Sequence, residues 1–188
     1  MKKTLLVALL ALFSLSLNAQ DHLKFKGIPI DGSLNSFVSK LKAQGFSYKA
    51  EQDGAALLEG TFAGYPQCEL VVVSTNDVVW KVVVMLPAND KWNDVKRNYD
   101  IFKKSFTEKY GVTPESEEHI DSYGGEGSGF ESQAFDEEKA VWRSDFAVPG
   151  GTARVMIRYA SYSRLQLWIE YYDDLNSTKR NRTIIDDI

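Results

Sequence analysis

The sequence predicts an α+β protein in which tandem α-β-β-β repeats form one antiparallel sheet with the helices packed on one face. Three observations predict it. Two stretches, beginning at Leu34 and Trp92, carry apolar residues at helical spacing and stop at a glycine, Gly45 and Gly111. Each is followed by apolar runs of strand length rich in Val, Ile and aromatic residues. The separators within each set of runs hold only a few turn-forming residues, too few for the crossover that parallel strands require.

The first helix is written by Leu34, Phe37, Val38 and Leu41, with Asp31 or Ser33 as its cap. Phe46 to Ala50 is a weak strand candidate; Ala56 to Phe62, Cys68 to Ser74 and Val78 to Leu86 are stronger ones. Gly64-Tyr65-Pro66 and Thr75-Asn76-Asp77 separate them. The second helix follows Pro87, with Asn89 or Asp90 as cap, and runs through Trp92, Val95, Tyr99, Phe102, Phe106 and Tyr110. So long an aromatic stripe reads as core. Residues 112–139 read as an inserted loop, after which Ala140 to Phe146, Thr152 to Ala160 and Arg164 to Asp173 complete the sheet.

Shifting the first set by 84 residues lays Phe62 on Phe146, Val71 on Val155, Val73 on Ile157 and Val83 on Leu167. Repeat one therefore spans about 23–86 and repeat two about 87–174, within a single domain over 20–174. Residues 175–188 read as a polar, mobile tail. Alternation in the last two strands turns Leu165, Leu167, Ile169, Tyr171, Val155, Ile157 and Tyr159 inward. The valine runs 71–73 and 82–84 do not alternate, which leaves the inner face of the first half unassigned and points to cover on both faces.

Residues 1–19 read as a secretory signal peptide: Lys2 and Lys3, an apolar run from Leu5 to Phe13, then Leu17-Asn18-Ala19. A periplasmic or secreted chain is expected, with no transmembrane segment after cleavage and no lipid anchor, since no Cys follows Ala19 directly. Cys68 is the only cysteine, so an intrachain disulfide is excluded, and it reads as a small buried hydrophobe. Loss of Lys2 and Lys3 leaves 20 basic against 26 acidic side chains, a charge of about −6 that repels phosphate backbones and excludes general nucleic-acid binding.

The leader, the stretch Phe25-Lys26-Gly27-Ile28-Pro29-Ile30-Asp31-Gly32-Ser33-Leu34 and the duplicated helix-plus-strands pattern resemble small uncharacterised exported proteins of Bacteroidetes. Their architecture is similar to that of the β-lactamase inhibitor protein. The resemblance implies an extended concave sheet over Phe25 to Asp173. It carries across no catalytic or inhibitory residue, and a shared architecture does not imply inhibition of a β-lactamase.

No catalytic constellation stands out, and no cofactor is expected. The run Gly124-Gly125-Glu126-Gly127-Ser128-Gly129 lacks the Lys-Ser or Lys-Thr pair of a phosphate loop, and Ser128 lacks the spacing of a nucleophile elbow. Glu117, His119 and Asp121 are weak metal candidates within a solvated acidic loop, their spacing matching neither a Ca²⁺ loop nor a helical zinc pair. Alternation gathers Trp168, Tyr172, Met156, Arg154, Arg158 and Arg164 on the outer face, the residue types found at interface centres. Trp80 and Trp142 belong either to that face or to the core. The leading expectation is a non-enzymatic exported module that recognises a protein or peptide through this face. The alternatives are a periplasmic small-molecule carrier and a metal-dependent protein using the loop around His119.

Overall fold

The computed structural model describes residues 21–186. The leader read in residues 1–19 lies outside them. Ten strands and four helices form among the described residues. Strand β1 (Lys24–Phe25) turns through Lys26 and Gly27, both at positive φ, into β2 (Ile28–Pro29), the two-residue turn that matches the twist of a hairpin. Helix α1 (Leu34–Ala43) follows, then a meander of β3 (Ser47–Gln52), β4 (Ala55–Phe62), β5 (Tyr65–Thr75) and β6 (Val78–Met85). Helix α2 (Trp92–Tyr110) leads to β7 (Glu115–Ile120), a short α3 (Glu131–Asp136), and β8 (Ala140–Val148), β9 (Gly151–Ser161) and β10 (Arg164–Asp173). Helix α4 (Asp174–Asp186) comes last.

One eight-stranded sheet results, in the order β3-β4-β5-β6-β10-β9-β8-β7, with every neighbour antiparallel. The α+β class and the large antiparallel sheet are thus as the sequence predicts, with β1 and β2 forming a separate two-stranded sheet. Each helix is followed by four strands rather than three, and the last strand of each set, β6 and β10, meet at the centre. Hairpin registers match Val82 with Leu167 and Val84 with Ile169, so the 84-residue shift is one residue short. That slip paired outer residues such as Val83 with inner ones such as Leu167, because a strand's faces alternate at every residue.

The core lies between the sheet's inner face and helices α1 and α2. Leu34, Phe37, Val38 and Leu41 of α1, and Trp92, Val95, Tyr99, Phe102 and Phe106 of α2, are all buried. They meet Ala56, Leu58, Leu70, Val72, Val82 and Val84 in one half and Val155, Ile157, Leu167 and Ile169 in the other. Rings stitch the halves: Phe25 lies 5.8 Å from Phe62 and 5.2 Å from Tyr171, and Phe106 lies 6.0 Å from Tyr171. The inner face of the first half is now assigned. Its outer valines, Val71 and Val73, stay half-exposed beside Leu57; only Val83 and Met85 of the central strand β6 are buried on that side as well. Cys68 is buried with a free thiol whose pKa burial raises.

Helix ends follow local chemistry. The Ser33 hydroxyl accepts from Ser36 N at 3.3 Å, and the turn residue Asp77 accepts from Leu34 N at 3.0 Å. Helix α2 departs from expectation: Lys91 is its N-cap, with no side-chain cap bond, while Asn89 Oδ1 accepts from Lys91 N. Gly111 closes the helix in the left-handed region, as its position predicts.

Two segments overturn the sequence reading. Within the supposed loop 112–139, Glu115–Ile120 is the edge strand β7, and α3 packs Ala134 and Phe135 into the core. Periodicity misses β7 because all its residues but the last are polar. Its one inward carboxylate, Glu118, is held by α2: Tyr99 donates to it at 2.6 Å and Lys103 at 2.5 Å. Tyr99 has one proton, so Ser144 donates to the Tyr99 oxygen at 2.6 Å, and Ser116 and Ser144 are joined at 2.7 Å. Burial alone raises the Glu118 pKa, but the Lys103 and Tyr99 bonds outweigh it and hold the group below its ordinary value.

The supposed tail is helix α4, fixed by polar rather than apolar contacts. Asp173, fully buried, accepts from Asn176 N at 2.9 Å as the cap of α4. Its other oxygen accepts from Leu23 N at 2.9 Å and bonds His22 Nδ1 at 3.1 Å. Asn176 donates to the carbonyls of Ile30 and Val79 and to Asp31. The turn before β9 closes tightly over this knot. A Cβ on Gly150 would lie 2.3 Å from Asp21 O, and one on Gly151 would lie 1.9 Å from Tyr172 O. Replacing Asp173 by Ala leaves two buried N–H groups without an acceptor, each worth about 1–3 kcal/mol. Urea unfolding of Asp173→Ala is therefore expected to show a loss of about 3 kcal/mol, with Asp173→Asn intermediate.

Candidate functional site

The outer face is centred on β6, β10 and β9. Its cross-strand rows are Lys81, Tyr172 and Thr152; Val83, Glu170 and Arg154; and Met85, Trp168 and Met156. Alternation along β9 and β10 positions Trp168, Tyr172, Met156 and Arg154 together and half-exposed, as the sequence predicts. Arg158 is exposed one step farther along β9, its guanidinium 5.4 Å from the centre of the Trp168 ring. Trp168 donates in turn to Gln166 at 3.0 Å. Arg164 stands apart at the β9–β10 turn, where it donates to Ser161 O and Oγ. Trp142 lies in the core, edge-on to Trp92 at 5.0 Å. Trp80 joins the outer face: a bulge leaves it unpaired with β5, 6.3 Å from Tyr172 and beneath Arg180 of α4 at 4.4 Å.

Sequence reasoning missed the charged floor of this face. Glu170 is only 3% exposed, yet it accepts from Lys81 Nζ at 2.8 Å and from the Tyr172 hydroxyl, with Arg154 3.8 Å away. Arg154 also pairs with Asp145. Burial lowers the Lys81 pKa, but hydrogen bonds to Glu170 and Tyr172 outweigh it and leave the ammonium above its ordinary value. Burial and the Glu170 bond both raise Tyr172. Lys81 is thereby held to Glu170 as the ammonium and Tyr172 as the neutral phenol. That makes a rigid floor, not a poised acid and base. The signal available was a charge pattern, Lys81 and Glu170 inside otherwise apolar strands, but 89 residues separate the partners and only the central pairing joins them.

The acidic cluster is placed differently. Glu117 and His119 lie on β7 with Asp121 just beyond it, the His119 nitrogens 3.2 Å from Glu117 and 3.0 Å from Asp121. Arg143 holds the other oxygen of Glu117 at 3.0 Å. With both ring nitrogens facing carboxylates, His119 is arranged as a double donor, whereas a metal ligand needs a free lone pair. Among the described residues no group of three or more His, Cys, Asp or Glu is placed to hold a metal ion, and no helix is long and apolar enough to cross a membrane.

Comparison with protein-family models, with curated proteins and with solved structures gives no match, so the functional argument rests on this geometry.

Two outcomes follow from the site. Breaking the Lys81–Glu170 pair by Lys81→Met leaves a nearly buried carboxylate with only the Tyr172 hydroxyl and, 3.8 Å away, Arg154, and is expected to cost about 3 kcal/mol in urea unfolding. The double variant Lys81→Met, Glu170→Leu regains most of that loss. For His119, the hydrogen bond to Glu117, then the charge of Asp121, raises its pKa. A raised folded pKa means that its stabilising effect is present below the ordinary imidazole value and fades as the pH climbs through the raised one. An NMR titration is expected to find His119 above a model imidazole, and Glu117→Gln to bring it down.

Proposed function

We propose that the chain is an exported, non-enzymatic binding module that recognises a protein or peptide through the outer face of its sheet. One observation carries this reading: Trp168, Met156 and Tyr172 stay half-exposed in the middle of an eight-stranded sheet, above a floor of mutually neutralised charges. Aromatic and Met side chains over a preformed, low-entropy base are what interface centres use. The floor matters as much as the rings, because side chains already held by ion pairs and hydrogen bonds lower the ordering cost a partner has to meet.

The residues of the leader, Lys2 and Lys3 followed by an apolar run, support export to the periplasm or beyond. The paired halves, each a helix with a four-stranded meander, support descent from one duplicated unit. Both belong to this proposal.

Selection of a random peptide library on the immobilised protein tests it. Enriched peptides are expected to lose about tenfold or more in retention on Trp168→Ala or Met156→Ala, at unchanged melting temperature. Absence of enrichment, or binders indifferent to both substitutions, overturns the reading.

A further inference from the structure

The sheet has a split seam. Strand β7 stays paired with β8 as far as Ile120 with Ala140, and β9 with β10 as far as Ser161 with Arg164. Between β8 and β9 the ladder runs from Val148 with Gly151 only to Arg143 with Met156, although both strands continue. Continued in register, Trp142 would face Ile157, Val141 would face Arg158 and Ala140 would face Tyr159. All six line one half-open pocket of about 550 Å³, bordered on its other sides by Trp168 and by residues of α3 and the turn after it. That volume lies within the range of about 300–1,000 Å³ typical of ligand pockets.

Three features mark the seam as incomplete. First, residues along an antiparallel strand alternate in turning N–H and C=O toward a given neighbour, so each parted edge keeps donor and acceptor groups directed into the gap. Second, Trp142, 7% exposed, lines the cavity, and its indole N–H is buried without an acceptor. Third, Arg158 pairs with no carboxylate among the described residues, whereas Arg143 has Glu117 and Arg154 has Asp145. The Trp168 ring beneath it holds its guanidinium fork in place for a planar anion.

We infer that the seam receives an extended peptide segment bearing a carboxylate, its backbone bonded to the open edges of β8 and β9 and its carboxylate on Arg158. The inference rests on the peptide-binding reading above and narrows it to one end of the face. Only a peptide backbone offers the alternating donors and acceptors that two strand edges present. Asp136 and Glu138 stand on the α3 side of the cavity, so an anion is attracted on the β9 side alone.

The test uses an acetylated Thr/Val pentapeptide with a free carboxyl terminus, the same peptide as its amide, and benzoate as a small organic acid. Binding is measured by titration, and amide hydrogen exchange is followed at residues 140–142 and 157–159. The acid is expected to bind about tenfold or more tighter than the amide and to slow exchange at those residues by a similar factor. Arg158→Ala is expected to erase the difference between acid and amide, and Arg158→Lys to keep part of it. Equal binding of acid and amide, or protection elsewhere on the sheet, overturns the seam and leaves the outer face standing as a binding surface. Equal protection by benzoate assigns the seam to small organic acids and overturns the peptide. Failure of both peptides together with a failed library selection overturns both readings.

Discussion

Everything in this molecule depends on the pairing of β6 with β10. Each meander alone would leave one long strand with an open edge and half a hydrophobic face. Joined from Lys81 with Tyr172 to Met85 with Trp168, they become one sheet over one core. Inside, the same register sets Val82 beside Tyr171 and Val84 beside Ile169, all buried under the helices. Outside, it brings Lys81 to Glu170. The Asn89–Leu165 bridge then carries the pairing past the strand end, and α2 starts directly after it, so the junction also aims the main core helix.

A nearly buried ion pair at such a junction adds little net stability, because desolvation offsets most of its attraction. Its value here is in register. Sliding β10 by one residue against β6 would turn Glu170 toward Ile169's present place in the core and expose Ile169 and Tyr171, and the carboxylate would lose Lys81. An apolar pair would tolerate neighbouring alignments among the valines of β6 far better. The valine-rich stretch that gives the sequence its ambiguity is therefore the stretch that a specific charged contact disambiguates. The Asp173 knot acts in the same way at the other end of the strand, holding the first described residues, the β8–β9 turn and α4 around one buried carboxylate.

How much could be read beforehand follows from where each signal lies. Both core helices and strands β8, β9 and β10 were legible, because their apolar period is local and their glycines and turns are specific. So was the outer gathering of Trp168, Tyr172, Met156 and Arg154, which needs only alternation within β9 and β10. Strand β7 was not, since its residues are almost all polar and its inward side chains Ser116 and Glu118 are held by Ser144 and by Tyr99 of α2, contacts no local window contains. Helix α4 was missed for a similar reason: its anchor is Asn176, a polar residue in a polar run, buried by contacts with Ile30 and Val79 far back in the chain. In the first half, Val71, Val72 and Val73 look alike in sequence, and only the bulge at Trp80 and the neighbouring strands decide which of them faces the core.

The links that join β3 to β4 and β7 to β8 differ in length, and the longer one lies beside the split seam. In the first half, β3 returns to β4 through the two-residue turn Asp53-Gly54, and β4 stays paired with β5 from Ala55 with Val73 to Phe62 with Tyr65. In the second half, α3 stands between β7 and β8. Asp121 N bonds Lys139 O and Lys139 N bonds Ala134 O, so the start of β8 is tied to β7 and to α3 rather than to β9. Phe135 wedges in beside Trp92 at 5.9 Å, and Trp92 meets Trp142 edge-on. The ring of Trp142 is thereby held in an aromatic cluster, where its N–H finds no acceptor. Restoring the ladder would require Val141 and Trp142 to move toward β9 and away from this cluster, giving up buried aromatic contact for two or three backbone bonds worth about 1 kcal/mol each. The parted strands keep this aromatic contact in place of the missing ladder bonds.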